Sequence, residues 1–536
     1  MNRKVFWPLF ALILFFGLVL HLYPSQNYNF YFTIDQGDDA VRAREFFDRG
    51  RLLTRGPETG VQGVYSGPGW YYFISIGYKL FDGDPYGALV VMILLNLAVT
   101  GVLVWWLARR ISPGLGLLVG AALQLFWPFY DSSRWAFSPF PLVASSIALM
   151  IVLSEWWNTK KNYWWGTIPV VVALNAELAG AVALFIFYGV VGVIGVARGK
   201  LEVKQFILSA CLLPGLGIAL TVKQFAQVYL RTHTIPFVLN ANVGTFQGTN
   251  FLKMAQVFAQ NTTETTIPQI AWLGVLVFLG ILGLYWGNKG NRGSSGEEYT
   301  RAFIVFVFGL FVTSYLFFSS NRGFQDWHDV FLPPLLFVSV VLILFSLWRE
   351  LKIRYYEVGG FSRYYKVGII GIVGVIGVSQ LMLFGDRYSQ YLHPSDDPGI
   401  LINQMKVLDW IYTHADENGF NEYTYVPTVE DDKYQYLFWW YGRKKYGYLP
   451  CEYSNAPKSI KYLYIPNSEE YKDPHLGCEY NVFLIIEPFG FTQGRPDWGK
   501  GDISQWYEKA TAGTISLEQS KVGEIKVEKR RYPSKI

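Results

Sequence analysis

Residues 5–23 read VFWPLFALILFFGLVLHLY, a run without a charged side chain. At a rise of about 1.5 Å per residue, a helix of this length crosses the roughly 30 Å hydrocarbon core of a bilayer. The run follows Arg3 and Lys4 and has no small-residue cleavage site after it. These features favour a retained signal-anchor helix over a cleaved signal peptide. We therefore expect the first membrane span here.

Similar apolar runs recur along the first 385 residues. The chain has 536 residues, of which 51% are hydrophobic and only 16% are charged, whereas about 25% is the usual charged share of soluble domains. Composition therefore indicates a polytopic α-helical membrane protein. We predict about eleven spans, at 5–23, 86–107, 113–129, 137–155, 163–178, 180–197, 205–222, 271–287, 301–319, 330–348 and 367–385.

The distribution of basic residues predicts the orientation of these spans. Short loops rich in Lys and Arg face the cytoplasm in helical membrane proteins. The pattern is consistent if GPGWYYFISIGYKLF (67–81) lies along the membrane surface as a juxtamembrane amphipathic helix rather than crossing it. We therefore predict a multi-pass cell-membrane protein with a cytoplasmic amino terminus. The first loop (24–85) and residues 386–536, called the tail below, are predicted to be extracytoplasmic.

The tail has the sequence pattern of a soluble domain. ILINQMKVLDWIYTHA (400–415) has the apolar spacing of a helix. Alternating runs predict strands at 421–427, 460–466, 480–488 and 523–532. We therefore divide the chain into a transmembrane module, 1–385, and an extracytoplasmic α/β domain, 386–536.

Cysteine and aromatic patterns argue against two other kinds of site. The three cysteines show no CxxC spacing, which argues against structural zinc. Cys451 and Cys478 either form a disulfide, if the tail is extracytoplasmic, or stay reduced. The basic, aromatic stretch YQYLFWWYGRKKYGY (434–448) fits a membrane-facing or interdomain patch better than a nucleic-acid surface. We therefore expect membrane lipids, and no nucleic acid, among the partners.

A dense charge cluster, TIDQGDDAVRAREFFDRG (33–50), follows the first span. Its apolar spacing predicts a helix with Asp38 or Asp39 as the amino-terminal cap. Two i,i+4 ion pairs are predicted within it, Arg44 with Asp48 and Glu45 with Arg49. Asp35 has no such structural explanation because it precedes the predicted helix. Asp35 is therefore the first candidate for a functional carboxylate.

Four more residues on the predicted outer face are candidates for substrate binding. Arg134 and Arg322 lie in otherwise short loops, and guanidinium groups suit phosphate. The alternative is that both reach towards lipid headgroups, with Asp131 as the ion-pair partner of Arg134. His328 either binds phosphate or belongs to an interfacial aromatic belt. Glu177, a carboxylate within an apolar stretch, is a candidate acceptor or metal contact, or is simply hydrated.

Several of these motifs resemble the GT-C superfamily of membrane glycosyltransferases. The protein O-mannosyltransferase and aminoarabinose-transferase-like enzymes (glycosyltransferase family 39-like) are the most similar branches. Asp35, followed by ARE at 43–45 and Gly50, is similar to the family's first-loop pattern. SRWAFSPFP (133–141) and WHDVFLPP (327–334) resemble two later motifs of the family. The resemblance covers about residues 1–385.

Two departures from the family pattern stand out. The family has a second carboxylate directly after the first, whereas Gln36 follows Asp35 here, so Asp38 or Asp39 is the candidate substitute. The aminoarabinose branch begins its second juxtamembrane helix with Lys-Pro-Pro, and that lysine meets the carrier phosphate. This chain has Gly-Pro-Gly at 67–69 instead, so the lysine's role does not carry over.

The resemblance implies transfer of a sugar from a polyprenyl-phosphate carrier to a protein, lipid or glycan acceptor outside the cytoplasm. Phosphate leaves as a stable anion, so the site needs one carboxylate to take the acceptor's proton, and cations to hold the phosphate. The resemblance implies that Asp35 contacts the acceptor or acts as this base, and we assign it as the base. A direct displacement of this kind would invert the anomeric centre. We expect Asp38, Asp39, Arg134, Glu177, Arg322 and His328 to bind substrate. A divalent cation near Asp35 and Asp39 is left open, since no oxygen-ligand spacing indicates one.

Two other functions fit a polytopic chain. A transporter or flippase of a lipid-linked saccharide would show internal repeats and polar groups at the centre of the membrane, and the sequence has no convincing repeat. A non-catalytic scaffold would keep its function after Asp35→Asn and lose it on deletion of 386–536. An enzyme would lose its function through the aspartate change alone.

The predicted orientation can be tested by cysteine labelling in a Cys211→Ser background. We expect Asp35→Cys to react with a membrane-impermeant maleimide on intact cells, because residue 35 is predicted to be outside. Lys161→Cys, in a predicted cytoplasmic loop, should react only after permeabilisation. Labelling of Asp35→Cys only after permeabilisation would contradict the proposed topology.

Overall fold

The computed structural model describes residues 3–59, 64–217, 295–319, 327–358, 362–415, 419–427, 431–457, 480–488 and 503–533. Several sequence predictions lie outside these residues: the span 271–287, the strand 460–466, Arg322 and Cys478.

Six helices among the described residues are long and apolar enough to cross a membrane: Arg3–Tyr28, Pro85–Arg110, Pro141–Thr159, Leu178–Ala197, Gly296–Phe318 and Leu332–Arg349. Three shorter apolar helices accompany them, at Pro113–Gln124, Tyr163–Leu174 and Val203–Gly217. The polytopic helical architecture is therefore confirmed. The count of eleven spans and the orientation stay predictions.

Four helices build the amino-terminal part. They are α1 (Arg3–Ser25), α2 (Ile34–Arg49), α3 (Gly69–Leu80) and α4 (Pro85–Arg110). Only α1 and α4 have spanning length, and α3, at 12 residues, is the short helix predicted at 67–81. Asp84 starts α4, because its carboxylate accepts a hydrogen bond from the Tyr86 backbone at 2.9 Å and Pro85 follows it.

Most of the remaining helices of the transmembrane part pack around one apolar core. They are α5 (Pro113–Gln124), α6 (Trp127–Asp131), α7 (Pro141–Thr159), α8 (Thr167–Leu174), α9 (Leu178–Ala197), and the helices Ser295–Ser319 and Leu332–Val358. The helix Ser362–Tyr391 instead packs Phe384, Tyr388 and Tyr391 against Trp127 and Tyr130 of α6. At the end of α4 away from the first loop, Arg110 forms a two-bond ion pair with Glu155 of α7, at 2.6 and 2.7 Å. The Trp106 indole donates to the same carboxylate at 2.7 Å.

The tail contains a five-stranded mixed sheet. Its strands are β1 (Phe420–Tyr425), β2 (Glu452–Ser454), β3 (Asn481–Ile486), β4 (Ile515–Val522) and β5 (Ile525–Arg531), in the order β2-β1-β3-β5-β4. β1 pairs in parallel with β2 and β3, whereas β5 runs antiparallel to β3 and β4. Helices Leu401–Ala415, Asp432–Leu437 and Ile503–Thr511 accompany the sheet. The predicted α/β tail is confirmed, with its 400–415 helix and three of its predicted strands.

The structure decides whether Cys451 of the tail is disulfide-bonded or reduced. Cys451, just before β2, is disulfide-bonded, and Cys211 in the transmembrane part is free. A persistent disulfide is typical of an oxidising compartment, which agrees with the predicted extracytoplasmic tail.

The first loop and the tail share one hydrophobic core. The loop contributes Phe30, Phe32, Ala40, Val41, Trp70, Ile74 and Tyr78. The tail contributes Leu401, Leu408, Tyr436, Trp439, Phe483 and Val527. All of these side chains are less than a tenth exposed. The loop therefore buries its apolar side chains against residues that lie more than 300 positions later in the chain.

A chain that ends at Tyr391 should lose the folded structure of the first loop. Each large apolar side chain left uncovered forfeits about 1.5–3 kcal/mol of burial free energy. We expect trypsin to cleave the loop in membranes containing this truncated chain, while the full chain and a chain ending at Tyr532 resist. A protease-resistant loop in the chain ending at Tyr391 would contradict the shared core. An enzyme whose first loop unfolds without the tail would also lose its activity. Deletion of the tail therefore does not distinguish the enzyme hypothesis from the scaffold hypothesis.

Candidate functional site

The charge cluster at 33–50 forms α2, but the helix starts earlier than predicted. Thr33 is the amino-terminal cap, and the Gln36 Oε1 accepts hydrogen bonds from the Thr33 backbone N at 2.9 Å and its Oγ1 at 2.6 Å. The expectation that Asp38 or Asp39 caps the helix is therefore wrong. Asp35 lies within the first turn rather than before the helix, where the helix dipole favours an ionised carboxylate.

The three aspartates of this turn differ in environment. Asp35 is exposed. Asp38 accepts hydrogen bonds from Arg42 Nε at 3.2 Å and Tyr71 Oη at 3.3 Å. Asp39 is only 5% exposed, and the Trp70 indole donates to it at 2.7 Å. Burial raises the pKa of Asp39 well above its usual value, despite the opposing effect of this indole bond. Asp35 is therefore the accessible carboxylate of the three.

The other charges of α2 pair mostly within the helix. Arg44 lies 2.9 Å from Asp48, as predicted. Glu45 pairs with Arg42 at 3.5 Å and Arg51 at 3.6 Å rather than with the predicted Arg49. Arg42 thus links Asp38 and Glu45 along one face of the helix.

The start of α3 is docked on the turn between α8 and α9. The Asn175 Oδ1 accepts from the Gly69 backbone N at 3.0 Å, and its carbonyl accepts from the Trp70 N at 3.1 Å. A Cβ on Gly67 would lie 2.2 Å from the Asn175 Oδ1. The glycine therefore permits this close approach, and no longer side chain fits where the aminoarabinose branch has its lysine.

Glu177 and His328 lie together beside this docking point. Glu177 caps α9, accepting from the Ala179 and Gly180 backbone N atoms at 2.8 and 2.6 Å. Its Oε1 is 3.9 Å from the His328 Nε2, and both side chains are 12% exposed. Burial raises the pKa of Glu177 to about 7, although the two backbone hydrogen bonds favour the ionised form. Glu177 thus lies at the start of a helix within its apolar stretch.

Arg134 lies in an aromatic cage and not in direct contact with the acidic groups of α2. Its Nε donates to Asp131 at 2.7 Å, as predicted, and its guanidinium stacks 3.5 Å from the Tyr391 ring centre. The side chain is 11% exposed. Tyr31 and Trp127 complete the cage at 5.8 and 5.5 Å.

A row of aromatic rings connects the Arg134 region to His328. Tyr31 lies 5.0 Å from Trp135, Trp135 stacks on Phe137 at 5.0 Å, and Phe137 meets Trp327 at 6.3 Å. Contacts thus connect α2 to the start of α3 through Asp39 and Trp70, and α3 to the segment of Asn175 and Glu177. We take the candidate site to lie along this series of contacts and the aromatic row. Within the described part of the chain, no three His, Cys, Asp or Glu side chains are placed to hold a metal ion. The divalent cation stays a hypothesis.

Sequence reasoning missed several residues that shape this site. The spacing of Thr33 and Gln36 is a capping-box signature that could have placed the helix start correctly. Trp70 and Asn175 carry no comparable signal, because each acts through a contact across more than 30 residues.

Comparison with known proteins bears on the fold. No protein-family model matches the chain, and no curated protein sequence is similar to it. The structure of ArnT from Cupriavidus metallidurans bound to undecaprenyl phosphate is similar, with a TM-score of 0.52 and 12% identity over 97% of each chain. The apo form of that ArnT has a TM-score of 0.51 and 13% identity over 98% of each chain. This chain has the GT-C fold.

A weaker likeness to the GT-C fold of another protein was also found. The apo oligosaccharyltransferase of Archaeoglobus fulgidus has a TM-score of 0.46 and 12% identity, over 96% of this chain and 73% of that one. The ArnT likeness extends over the tail as well as the transmembrane part, so the GT-C fold covers more of the chain than the motifs near residues 1–385 implied.

The raised pKa of Glu177 predicts a pH dependence of stability. Between its ordinary value of 4.5 and about 7, the folded protein holds a proton that the unfolded chain has released, so the free energy of unfolding falls as pH rises. Glu177→Gln cannot titrate. We expect its melting temperature to rise relative to the wild type from pH 4.5 to 7, and the difference to be constant above pH 7. A pH-independent difference would contradict the shift in the pKa of Glu177.

Proposed function

We propose that this protein is a membrane glycosyltransferase that moves a sugar from a polyprenyl-phosphate carrier to an extracytoplasmic acceptor, with Asp35 as the base. The observation that carries the proposal is the GT-C likeness over 97% of each chain to an ArnT that binds undecaprenyl phosphate. The polytopic helices and the disulfide in the tail suit a site that opens outside the cytoplasm.

Asp35 is the carboxylate that fits the role of base. A base must be ionised and must be reached by the acceptor hydroxyl. Asp35 is exposed at the amino terminus of α2, whereas Asp39 is buried against Trp70. In the proposed step, the acceptor oxygen attacks the anomeric carbon as its proton passes to Asp35. The bond from that carbon to the phosphate oxygen breaks on the opposite face, so the configuration inverts.

The surrounding residues are assigned supporting roles. We assign Asp38 and Asp39, which neighbour Asp35 on α2, and the Glu177–His328 pair as contacts for the sugar or the acceptor. Arg134 and Arg322 are the proposed cations for the departing phosphate. Much of the Arg134 guanidinium is engaged by Asp131 and Tyr391, so its role would be mainly electrostatic, through a low-dielectric aromatic surround.

The proposal predicts that Asp35→Asn abolishes sugar transfer. Purified protein would be incubated with radiolabelled sugars on undecaprenyl phosphate, with membranes of the source organism as acceptor, and label leaving the lipid fraction would be counted. Loss of a general base lowers the rate about 10²–10⁴-fold. The asparagine keeps the shape of the side chain and removes only its basicity.

Asp48→Asn is the matched control, because it makes the same change more than three turns along the same helix. It removes the carboxylate partner of Arg44, and Arg44 keeps its stacking on Trp439. We expect this variant to transfer at the wild-type rate. Equal transfer by wild type and Asp35→Asn, or no transfer from any carrier by the wild type, would refute the proposed function.

A further inference from the structure

The first turn of α2 is held by the tail on both sides. Residues 30–32, just before the cap, pair with residues 399–401 as a short antiparallel bridge: the Phe32 N donates to the Gly399 O at 2.8 Å, and the Leu401 N donates to the Phe30 O at 3.0 Å. The Gln404 side chain also donates to the Phe32 O at 2.8 Å, from a fully buried position. The backbone that leads into α2 is thus fixed by hydrogen bonds to the tail.

On the other side of Asp35, the helix backbone touches the tail backbone at Gly37. A Cβ at this position would lie 2.4 Å from the Lys433 N, 2.6 Å from its Cα and 2.7 Å from the Asp432 C. These are main-chain atoms, which cannot rotate away as a side chain would. Only glycine therefore allows this approach.

The tail segment at Lys433 is itself fixed by a buried ion pair. The Lys433 Nζ lies 2.7 and 2.8 Å from the two Glu487 oxygens, and the Tyr434 Oη donates to the same carboxylate at 2.7 Å. All three side chains are less than a tenth exposed. Breaking such a pair would leave a buried charge unpaired, which is strongly destabilising. The backbone at Lys433 is thus held firmly by this pair, and we expect a methyl group at Gly37 to displace the first turn of α2.

From these contacts we propose that the tail is a positioning part of the catalytic site: residues 399–404 and 431–433 together set the place of the Asp35 carboxylate. The inference rests on the proposed function. Gly37 and Gln404 are positioning residues, because each acts on Asp35 through the backbone of α2 and touches no reacting atom. A carboxylate that must meet both an acceptor oxygen and an anomeric carbon depends on placement within about half an ångström.

Gly37→Ala tests the carboxyl-side contact. Ordinary contact begins at 3.4 Å, so the methyl group must displace the turn by about 1 Å, and a misplacement of this size lowers the rate about 100-fold. We expect kcat to fall by this factor with KM for the undecaprenyl-phosphate sugar unchanged. Hydrogen exchange of the amides at 34–40 should be faster than in the wild type.

Gly77→Ala is the control variant, because it introduces a comparable steric clash without acting on the backbone next to Asp35. Its methyl group would meet the Gly87 carbonyl oxygen at 2.2 Å, between α3 and α4. It should lower the melting temperature to a similar extent and leave kcat and the exchange at 34–40 near the wild-type values. Gln404→Leu tests the amino-side contact without adding bulk at position 37, and should also lower kcat at unchanged KM.

The results separate this inference from the proposed function. A wild-type kcat in both Gly37→Ala and Gln404→Leu would refute this inference and leave the proposed function standing. Equal losses of kcat in the two alanine variants also remove it, because the effect would then be general destabilisation. No transfer by the wild type removes the proposed function, and this inference with it.

Discussion

Burial of the apolar faces of α2 and α3 against the tail is the constraint on which the arrangement of the site depends. Two helices of 16 and 12 residues bury too little surface to be stable alone. Their core is completed by the 401–415 helix, the sheet and the aromatic stretch at 434–440. The same contacts that stabilise the loop therefore also orient its charged face, which carries Asp35.

The aromatic, basic stretch of the tail has a structural role in this arrangement. Trp439 packs under the Arg44 guanidinium at 3.8 Å, and the Tyr436 Oη donates to the Gly83 carbonyl at the turn before α4. Lys444 pairs with Asp82 at 2.9 Å in the same turn. Of the two interpretations of this stretch that the sequence left open, the contacts support the interdomain one. The tail thus lies against the entry to a membrane-spanning helix.

Run length and periodicity in the sequence predicted helices and strands. They did not predict contacts between residues that lie far apart in the chain. The lengths of the apolar runs predicted the six helices of spanning length in the described part of the chain, and alternation predicted β1, β3 and β5. Three further runs predicted as spans, 113–129, 163–178 and 205–222, form shorter apolar helices there. The short β2 was missed because three residues carry too little alternation, and β4 because it is a mostly exposed edge strand. At the site, the i,i+4 rule found the Arg44–Asp48 pair. The rule did not find the Arg51 partner of Glu45, because that residue lies beyond the helix end. The contact of Gly37 with Lys433 joins positions that no periodicity relates.

The Gly-Pro-Gly departure from the family pattern also has a physical explanation. Gly67 and Gly69 both face Asn175, and a Cβ on either would lie within 2.7 Å of it. The Asn175 side-chain and backbone carbonyls accept two hydrogen bonds from the start of α3, and the Leu174 carbonyl accepts a third from the Gly67 N. A substitution that restored a lysine at position 67 would thus have to displace Asn175 first.

The hydrogen bond from Gln404 to the Phe32 carbonyl joins residues 372 positions apart. At about 5–20 residues per second, a ribosome needs roughly 20–75 s to make the intervening chain. Throughout that interval the nascent first loop has no packing partner, so its phenylalanine and tryptophan side chains are open to proteases and to aggregation. This period of exposure follows from the order of the two segments along the chain, because the loop is synthesised first and its partner last.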